Sequence, residues 1–282
     1  VDARGQRVTG AIALAEVQAY VYVAKLRLGV IARMKKRLDL ADRWQEQAQA
    51  LKERFNRDFW LPEQGYFALA LNGEGQPVDS ITSNPGHCLG TGILADDKVC
   101  SVAERLQAPD MFSGWGIRTL SSASPAYNPM GYHIGSVWPH DNGIIAAGLR
   151  SQGFVEQALE IAQGIIDMTA QQPYHRPPEL FCGYKRTPES SPVRYPVACS
   201  PQAWATGTMF QLLQLMVNLV PDAPSNCLRV IHPQLPESVN YLSLHNLTIG
   251  QTLLDLEFER SSGATACRVV RKRGNLRVVI EA

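Results

Sequence analysis

A chain of 282 residues with 45% hydrophobic content can bury one sizeable core, or a core with a small appendage. Its formal net charge of +1 supplies neither a basic field for nucleic acid nor an acidic solvating tail. No stretch approaches ~18 uninterrupted apolar residues, so no membrane span is expected, and no charged-then-apolar signal segment opens the chain.

The chain begins at Val1, without a methionine, in a polar run that enters a helix almost at once; it reads as a segment cut from something longer. Ile12, Leu14, Val17, Tyr20, Val21 and Val23 make residues 11–30 apolar on most sides, which predicts a deeply buried helix. After a break near Asp39, Trp44, Ala48, Leu51 and Phe55 recur at helical spacing between charged residues, the pattern of a helix that covers one side of a core. The alternation returns. Ile144 to Leu149 is mostly apolar, Gln152-Gly153 breaks it, and Phe154, Ala158, Ile161, Ile165 and Met168 trace a second single-faced stripe. Residues 201–219 (Trp204, Phe210, Leu212, Leu213, Leu215, Met216, Leu219) are again apolar nearly all round. Buried helix, tight turn, amphipathic helix is the pattern of an inner and an outer ring of helices, in which short connections make successive helices neighbours.

Beyond about residue 226 the period changes. Leu254, Leu256 and Phe258 alternate with Asp255, Glu257 and Glu259, a half-buried strand. Cys267–Arg273 and Leu276–Ala282 flank Gly274-Asn275, a two-residue hairpin signal. Pro221, Pro224, Pro233 and Pro236 mark the junction. The reading is a mainly α domain over residues 1–224 and a small antiparallel β appendage over 225–282. The six cysteines (Cys88, Cys100, Cys182, Cys199, Cys227, Cys267) lack CxxC spacing, which argues against zinc, and a chain of this size needs no disulfide framework. Six reduced thiols in a cytoplasmic protein, without metal or cofactor, are the expectation.

Four loop segments concentrate aromatic, histidine, carboxylate and amide groups: Ser83-Asn84-Pro85-Gly86-His87, Ser113–Arg118, Tyr127–Asn142, and Pro178–Phe181 with Cys199–Trp204. Sugars are recognised by this composition, because aromatic faces stack on pyranose C–H groups while carboxylates, amides and histidines bond to hydroxyls. A glycine-rich phosphate loop, a GxSxG elbow and a metal-ligand triad are all absent from the sequence. Trp138-Pro-His-Asp-Asn142 after Tyr132-His-x-Gly-Ser-Val137, Pro178-Glu-Leu-Phe181, and Ala198-Cys-Ser-Pro-Gln-Ala-Trp204 resemble the bacterial amylo-α-1,6-glucosidase-like hydrolases and, more distantly, the glucosidase half of glycogen debranching enzyme. The resemblance covers essentially the whole chain. It implies an (α/α)6 toroid of the six-hairpin glycosidase type, an α-glucoside substrate, here an oligosaccharide or glucan, and an inverting mechanism. Such a toroid has roughly twelve helices where about seven are legible here. The toroid is therefore expected to be incomplete, its general acid to lie upstream of Val1, and its uncovered inner helices to allow self-association. Gly90 stands where relatives often have Trp, and Ile134 where they often have Asn.

The resemblance assigns the catalytic base to Glu179, which follows two prolines that keep it out of a helix. Substrate contacts are expected from Glu16, Trp115, Arg118, Tyr132, His133, Trp138, His140, Asp141 and Gln202. Asp141, just before an apolar helix, could equally be an N-cap. A carboxylate on a buried helix must be paired or face a pocket, so Glu16 has one of these two environments, with Arg118 a candidate partner. Trp115 and Trp138, beside glycine and proline in loops, read as stacking platforms, whereas Trp204, opening a helix, reads as core. The rival readings are a glucoamylase-, trehalase- or mannosyl-oligosaccharide-glucosidase-like toroidal enzyme, and a non-catalytic carbohydrate-binding fragment.

Overall fold

Strand β1 (Ile12–Leu14) leads directly into helix α1 (Ala15–Met34), and three residues turn the chain into α2 (Leu38–Asp58). These ranges come from a computed structural model that describes residues 1–281. Lys36 makes the turn with a left-handed φ of 57°. Helix α2 packs on α1 and buries Ala41, Ala48 and Phe55. Phe55 stacks on Phe59 and Phe67 with ring centroids 4.7 and 5.1 Å away. This is the single-faced helix its spacing predicts.

Helix α1 is not the deeply buried helix that its composition predicts, and it exposes an apolar side as an uncovered inner helix would. Ala15, Ala19, Tyr22, Gly29 and Ala32 are buried, but Val17, Val21, Leu28 and Ile31 are each more than 40% exposed. These four lie along one side at helical spacing. The helix packs against α2, the 3-10 helix Asn84–Thr91 and β1, and these neighbours leave that side uncovered.

After α2 come short strands: β2 (Trp60–Leu61) pairs with β3 (Tyr66–Phe67), and β4 (Ala70–Asn72) lies between β1 and β5 (Pro77–Val78). The 3-10 helix Asn84–Thr91 and α3 (Asp96–Gln107) follow, then a long loop region, then α4 (Pro139–Ser151) and α5 (Val155–Ala170). Helix α5 buries Ala158, Ile161, Ile165 and Met168, the stripe read from the sequence. Helix α4 packs on both α5 and the 3-10 helix. The second of these contacts is glycine on glycine. A Cβ at Gly90 would lie 3.3 Å from Gly148 Cα, and one at Gly148 would lie 3.0 Å from Gly90 N. A tryptophan at position 90 would drive the two elements apart, so the glycine there is a packing requirement of this chain.

The loop region is held by single bridges rather than by long strands. Thr82 bridges Leu120, Arg118 bridges Val137, Val137 bridges Phe181, and Phe181 bridges Arg194. Val137 N–H donates to Phe181 O at 2.9 Å and Phe181 N–H returns to Val137 O at 3.0 Å. The amide of fully buried Asn142, from α4, completes this platform. Its Oδ1 accepts from Ile117 N–H at 2.6 Å, and its Nδ2 donates to Ile117 O at 3.1 Å and Trp138 O at 3.0 Å.

By its contacts the chain divides into compact units, Val1–Thr208 and the residues from Met209 onward, with the boundary inside α6 (Ala203–Val217). Apolar nearly all round in sequence, α6 nevertheless exposes Trp204 and Phe210. The second unit contains β6 (Leu219–Asp222), β7 (Cys227–Ile231), β8 (Tyr241–Ile249), β9 (Thr252–Ser261), β10 (Ala264–Arg273) and β11 (Arg277–Glu281). β9 is central in an antiparallel β10-β9-β8 sheet and buries Leu254, Leu256 and Phe258, as their alternation predicts. The hairpin expected at Gly274-Asn275 does not form. β11 instead pairs parallel with β7, in a sheet ordered β11-β7-β6, so the β region is not wholly antiparallel. The physical reason is Thr252. Its Oγ1 accepts from Leu276 N–H at 3.2 Å, and the chain passes it at Gly274, where a Cβ would come within 2.2 Å of that oxygen. Ala282, the last residue of the expected strand, lies outside the described residues.

Two outcomes follow from this packing. Asn142→Ala orphans the buried N–H and C=O of Ile117, each worth about 1–3 kcal/mol, and is expected to lower the melting temperature markedly. Asn142→Asp, which cannot donate, should not restore it. The uncovered stripe on α1 is expected to drive association of the chain. Sedimentation should show species larger than the 31.1 kDa monomer, and Val21→Lys with Leu28→Lys should shift the population towards monomer without changing the circular dichroism.

Candidate active site

A cleft of about 740 Å³ opens in the first unit, where the first turns of α1 and α4 meet the segment Ser83–His87 and the start of α6. Glu16, Tyr132, His133, Trp138, His140 and Asp141, six of the residues expected from sequence, line it. Thr82, Asn84, His87 and Trp204 line it as well.

Glu16 shows both environments foreseen for it. Its Oε1 accepts from Asn84 Nδ2 at 2.9 Å, while Oε2 is buried without a hydrogen-bonding partner among the described residues. Thr82 Oγ1 and His140 Nδ1 share that condition. Buried polar atoms are normally satisfied, so three such atoms on one cleft mark a surface suited to an incoming polar ligand.

Asp141 is not an N-cap. Trp138 occupies that position without a side-chain bond, Pro139 opens the helix, and Asp141 sits in the first turn. Its Oδ1 pairs with His87 Nε2. Burial opposes ionisation of Asp141, but the bond and charge of His87, a bond from Ser83 and the charge of His140 outweigh it and lower its pKa. For His87, burial disfavours the cation, yet the bond and charge of Asp141 and the charge of Glu16 raise the pKa. On its other side His87 Nδ1 lies 2.5 Å from Tyr20 Oη. Burial and the charges of Glu16 and Asp141 push that phenol up to about 12.

The aromatic wall is built from interlocked rings. Trp138 donates its indole N–H to Tyr132 O at 3.1 Å and Ser136 Oγ at 2.9 Å. His133 lies parallel to Trp138 at 5.5 Å, and Tyr132 meets it edge-on at 4.7 Å. His140 stacks on Trp204 with centroids 4.4 Å apart and planes 12° apart. Burial holds the His140 pKa below its ordinary value against the charge of Asp141, so its unpartnered Nδ1 belongs to a neutral ring that can accept or donate according to tautomer.

Glu179, the expected base, is not among the residues that line the cleft, but it meets the wall at Tyr132. Its N–H donates to Cys199 O at 2.9 Å, between buried Pro178 and Leu180. The Tyr132 phenol has a raised pKa, through burial and then through a hydrogen bond to Glu179 and the charge of that carboxylate. The charge of Glu179 also reaches His140.

Three expected contacts lie elsewhere. Trp115 is 3% exposed and packs its backbone onto α5 at Gly164, with the Arg186 guanidinium 4.2 Å above its ring and Asp167 pairing that arginine at 2.8 Å. Buried Arg118 is no partner of Glu16; it donates to the carbonyls of Gly183 (2.7 Å), Pro109 (3.2 Å) and Asp110 (3.3 Å), tying loops together. Gln202 Oε1 accepts from Ala203 N–H at 2.8 Å, turned to the start of α6. In the other direction, Trp204 is 49% exposed and stands in the cleft wall, not in the core. Tyr20 joins the site through the structure alone, while Asn84 and His87 come from the Ser83–His87 segment that composition marks without singling either out.

Residues 2–189 match the mannosylglycerate hydrolase MGH1-like glycoside hydrolase domain. The chain belongs to this glycoside hydrolase family. No curated protein matches it by sequence. Solved structures share the fold of this chain at low identity. A sialidase superimposes with TM-score 0.72 at 12% identity, over 98% of this chain and 27% of its own. The neutral trehalase of Saccharomyces cerevisiae gives 0.59 at 15%, over 73% and 38%. The GH63 mannosylglycerate hydrolase of Thermus thermophilus, solved with Tris, gives 0.53 at 17%, over 71% and 45%. The chain thus spans less than half the length of each of these structures. Family and fold together place the chain among glycoside hydrolase families of the six-hairpin type. The match is to the mannosylglycerate hydrolase-like domain and not specifically to the debranching enzymes whose motifs the sequence resembles.

The two tryptophans separate packing from recognition. Trp115→Ala removes a buried ring and is expected to cost about 3–5 kcal/mol of stability, read by chemical denaturation. Trp204→Ala should leave stability within about 1 kcal/mol while weakening sugar binding. Equal melting losses for both would place Trp204 in the core.

Proposed function

We propose that this glycoside hydrolase domain carries the base side of an inverting α-glycosidase, with Glu179 as the carboxylate that activates water. The observation that supports the reading most directly is the setting of Glu179. A proline-bounded loop pinned at Cys199 presents it to the hydroxyl of Tyr132, and Tyr132 lines a cleft with unpartnered polar atoms and stacked rings. An inverting reaction needs a carboxylic acid to protonate the leaving oxygen and a carboxylate to deprotonate a water on the opposite face of the sugar. In this reading Tyr132 and His140 orient Glu179 and its water. Glu16 and Asp141 accept bonds from sugar hydroxyls, and Trp138 and Trp204 supply apolar faces.

The substrate we favour is a small α-glycoside, because the family match is to a mannosylglycerate hydrolase-like domain and the cleft is bounded by bulky rings. A second reading, hydrolysis of α-1,6-linked glucose stubs as in debranching, is favoured by the Trp138–Asn142, Pro178–Phe181 and Ala198–Trp204 motifs. A panel of mannosylglycerate, trehalose, isomaltose and a branched maltodextrin separates the two by relative kcat/KM.

Glu179→Gln keeps the shape but cannot accept a proton from water. In a preparation that hydrolyses one of these glycosides, it should retain binding while kcat falls by about two to four orders of magnitude. Proton NMR of the unmodified enzyme should show the β anomer of the sugar first. Near-normal turnover by Glu179→Gln, or an α anomer formed first, would remove Glu179 from the role of base.

A further inference from the structure

We propose that His87 is a positioning residue of this cleft: held as an imidazolium between Tyr20 and Asp141, it fixes the Asp141 carboxylate as an acceptor for substrate hydroxyls. The proposal rests on the reading of the cleft as a glycosidase site. His87 joins three elements, because its ring rises from the 3-10 helix, Tyr20 stands on α1 and Asp141 on α4. Both ring nitrogens are engaged, Nδ1 by Tyr20 Oη at 2.5 Å and Nε2 by Asp141 Oδ1, and the His87 and Asp141 side chains are only 10% and 8% exposed.

A neutral ring could satisfy this geometry by accepting from the Tyr20 hydroxyl, so charge has to decide. The titratable groups facing His87 are Glu16 and Tyr20 from α1, Asp141 and His140 from α4, and the neighbouring Cys88. Tyr20 and Cys88 hold their protons, since burial and the nearby carboxylates raise both pKa values. His140 is neutral, and among the described residues no lysine or arginine side chain lines the cleft. Glu16 and Asp141 are the anions facing the ring, and a neutral His87 would leave both without a countercharge in a confined space. The imidazolium supplies it and donates from both nitrogens, to Asp141 and to the Tyr20 oxygen. A carboxylate gripped from behind in this way keeps one orientation towards the cleft.

The signs define a pH window. The raised pKa of His87 means that its contribution to stability is complete below the ordinary imidazole value of about 6.5 and is lost as pH rises through the raised value. The lowered pKa of Asp141 means that its contribution is present above the ordinary value near 4 and is lost as pH falls through the depressed one. The pair is intact between those limits.

Long-range proton–nitrogen NMR on the 282-residue chain labelled with 15N-histidine tests the state of the ring directly, with His87 assigned from the signal lost in His87→Gln. Both nitrogens are expected to be protonated at neutral pH, with a midpoint above about 6.5 that falls by roughly one unit or more in Asp141→Asn. A neutral ring at neutral pH, or a midpoint indifferent to Asp141→Asn, overturns the proposal. If Asp141→Asn does not fold, Tyr20→Phe decides by sign. Loss of an acceptor for Nδ1–H lowers the midpoint, whereas loss of a donor to a neutral ring raises it and refutes the imidazolium. On whichever of mannosylglycerate, trehalose or isomaltose is hydrolysed, His87→Gln should raise KM on the order of ten-fold with a smaller change in kcat and remove the His87 midpoint from the kcat/KM profile, leaving the alkaline fall set by the general acid alone. An unchanged KM and pH profile would refute the positioning role. Failure of a preparation that carries the upstream segment to hydrolyse any of the three counts against the glycosidase reading, while the NMR result still decides the state of His87.

Discussion

The α4 side of the cleft, and the loop that carries Glu179, depend on the paired backbone of Val137. This residue is fully buried and bridged on both sides, by Arg118 and by Phe181. One bridge fixes the loop that ends in Glu179, two residues before Phe181. The other fixes the loop that runs from Ile117 to Thr119 along the cleft floor. Residues 138–141 follow Val137 without a break and place Trp138, His140 and Asp141 on the first turn of α4. Such a platform has too few ladder bonds to be stable as a sheet. The Asn142 amide supplies the missing bonds to Ile117, and the Arg118 guanidinium binds the carbonyls around it. Close backbone approaches make the same point. A Cβ on Gly183 would come within 1.7 Å of Gly135 O, so these loops fit together only with glycine there.

The platform commits some of its polar groups to structure and leaves others open. Asn142 is fully bonded, whereas Glu16 Oε2, Thr82 Oγ1 and His140 Nδ1 are buried without partners. An unsatisfied buried polar atom costs on the order of 1–3 kcal/mol. Tolerating three of them on one surface is a poor way to stabilise a fold and an effective way to bind hydroxyls. Stacked histidine–tryptophan pairs fix the angles at which these atoms are presented, because a ring packed on a ring cannot rotate freely.

Much of this was legible in the sequence, and the failures are physical. Helix pairs could be read because apolar spacing reports one-sided burial directly, as in α2 and α5. The cleft residues on α4 could be read because aromatic and polar groups crowd beside Gly and Pro where a core would exclude them. Trp115 and Arg118 misled because a composition suited to sugar binding also suits loop packing. Nothing along the chain shows that Arg186 covers one or that three carbonyls surround the other. Trp204 misled in reverse, since an apolar helix start looks the same whether it faces core or cleft. His87 was legible only as part of the Ser83–His87 segment and not singled out, because its significance lies in partners 67 and 54 residues away, Tyr20 and Asp141. The β11 pairing was missed for the same reason: the Thr252 contact that diverts the chain at Gly274 is remote in sequence.

Helix α1 carries a double obligation. Its first turns deliver Glu16 to Asn84 and Tyr20 to His87, while the same side of the helix continues into the exposed stripe of Val17, Val21, Leu28 and Ile31. The cleft and the stripe are therefore not independent surfaces. The Tyr20 ring is itself 45% exposed at the point where one becomes the other. A helix is stiff along its axis, so any contact that moved α1 by a fraction of an ångström would reach Glu16 and the His87 clamp together. The orientation of two carboxylates, Glu16 directly and Asp141 through His87, is thus tied to the packing of a single helix, and the chemistry of the cleft depends on how α1 is seated.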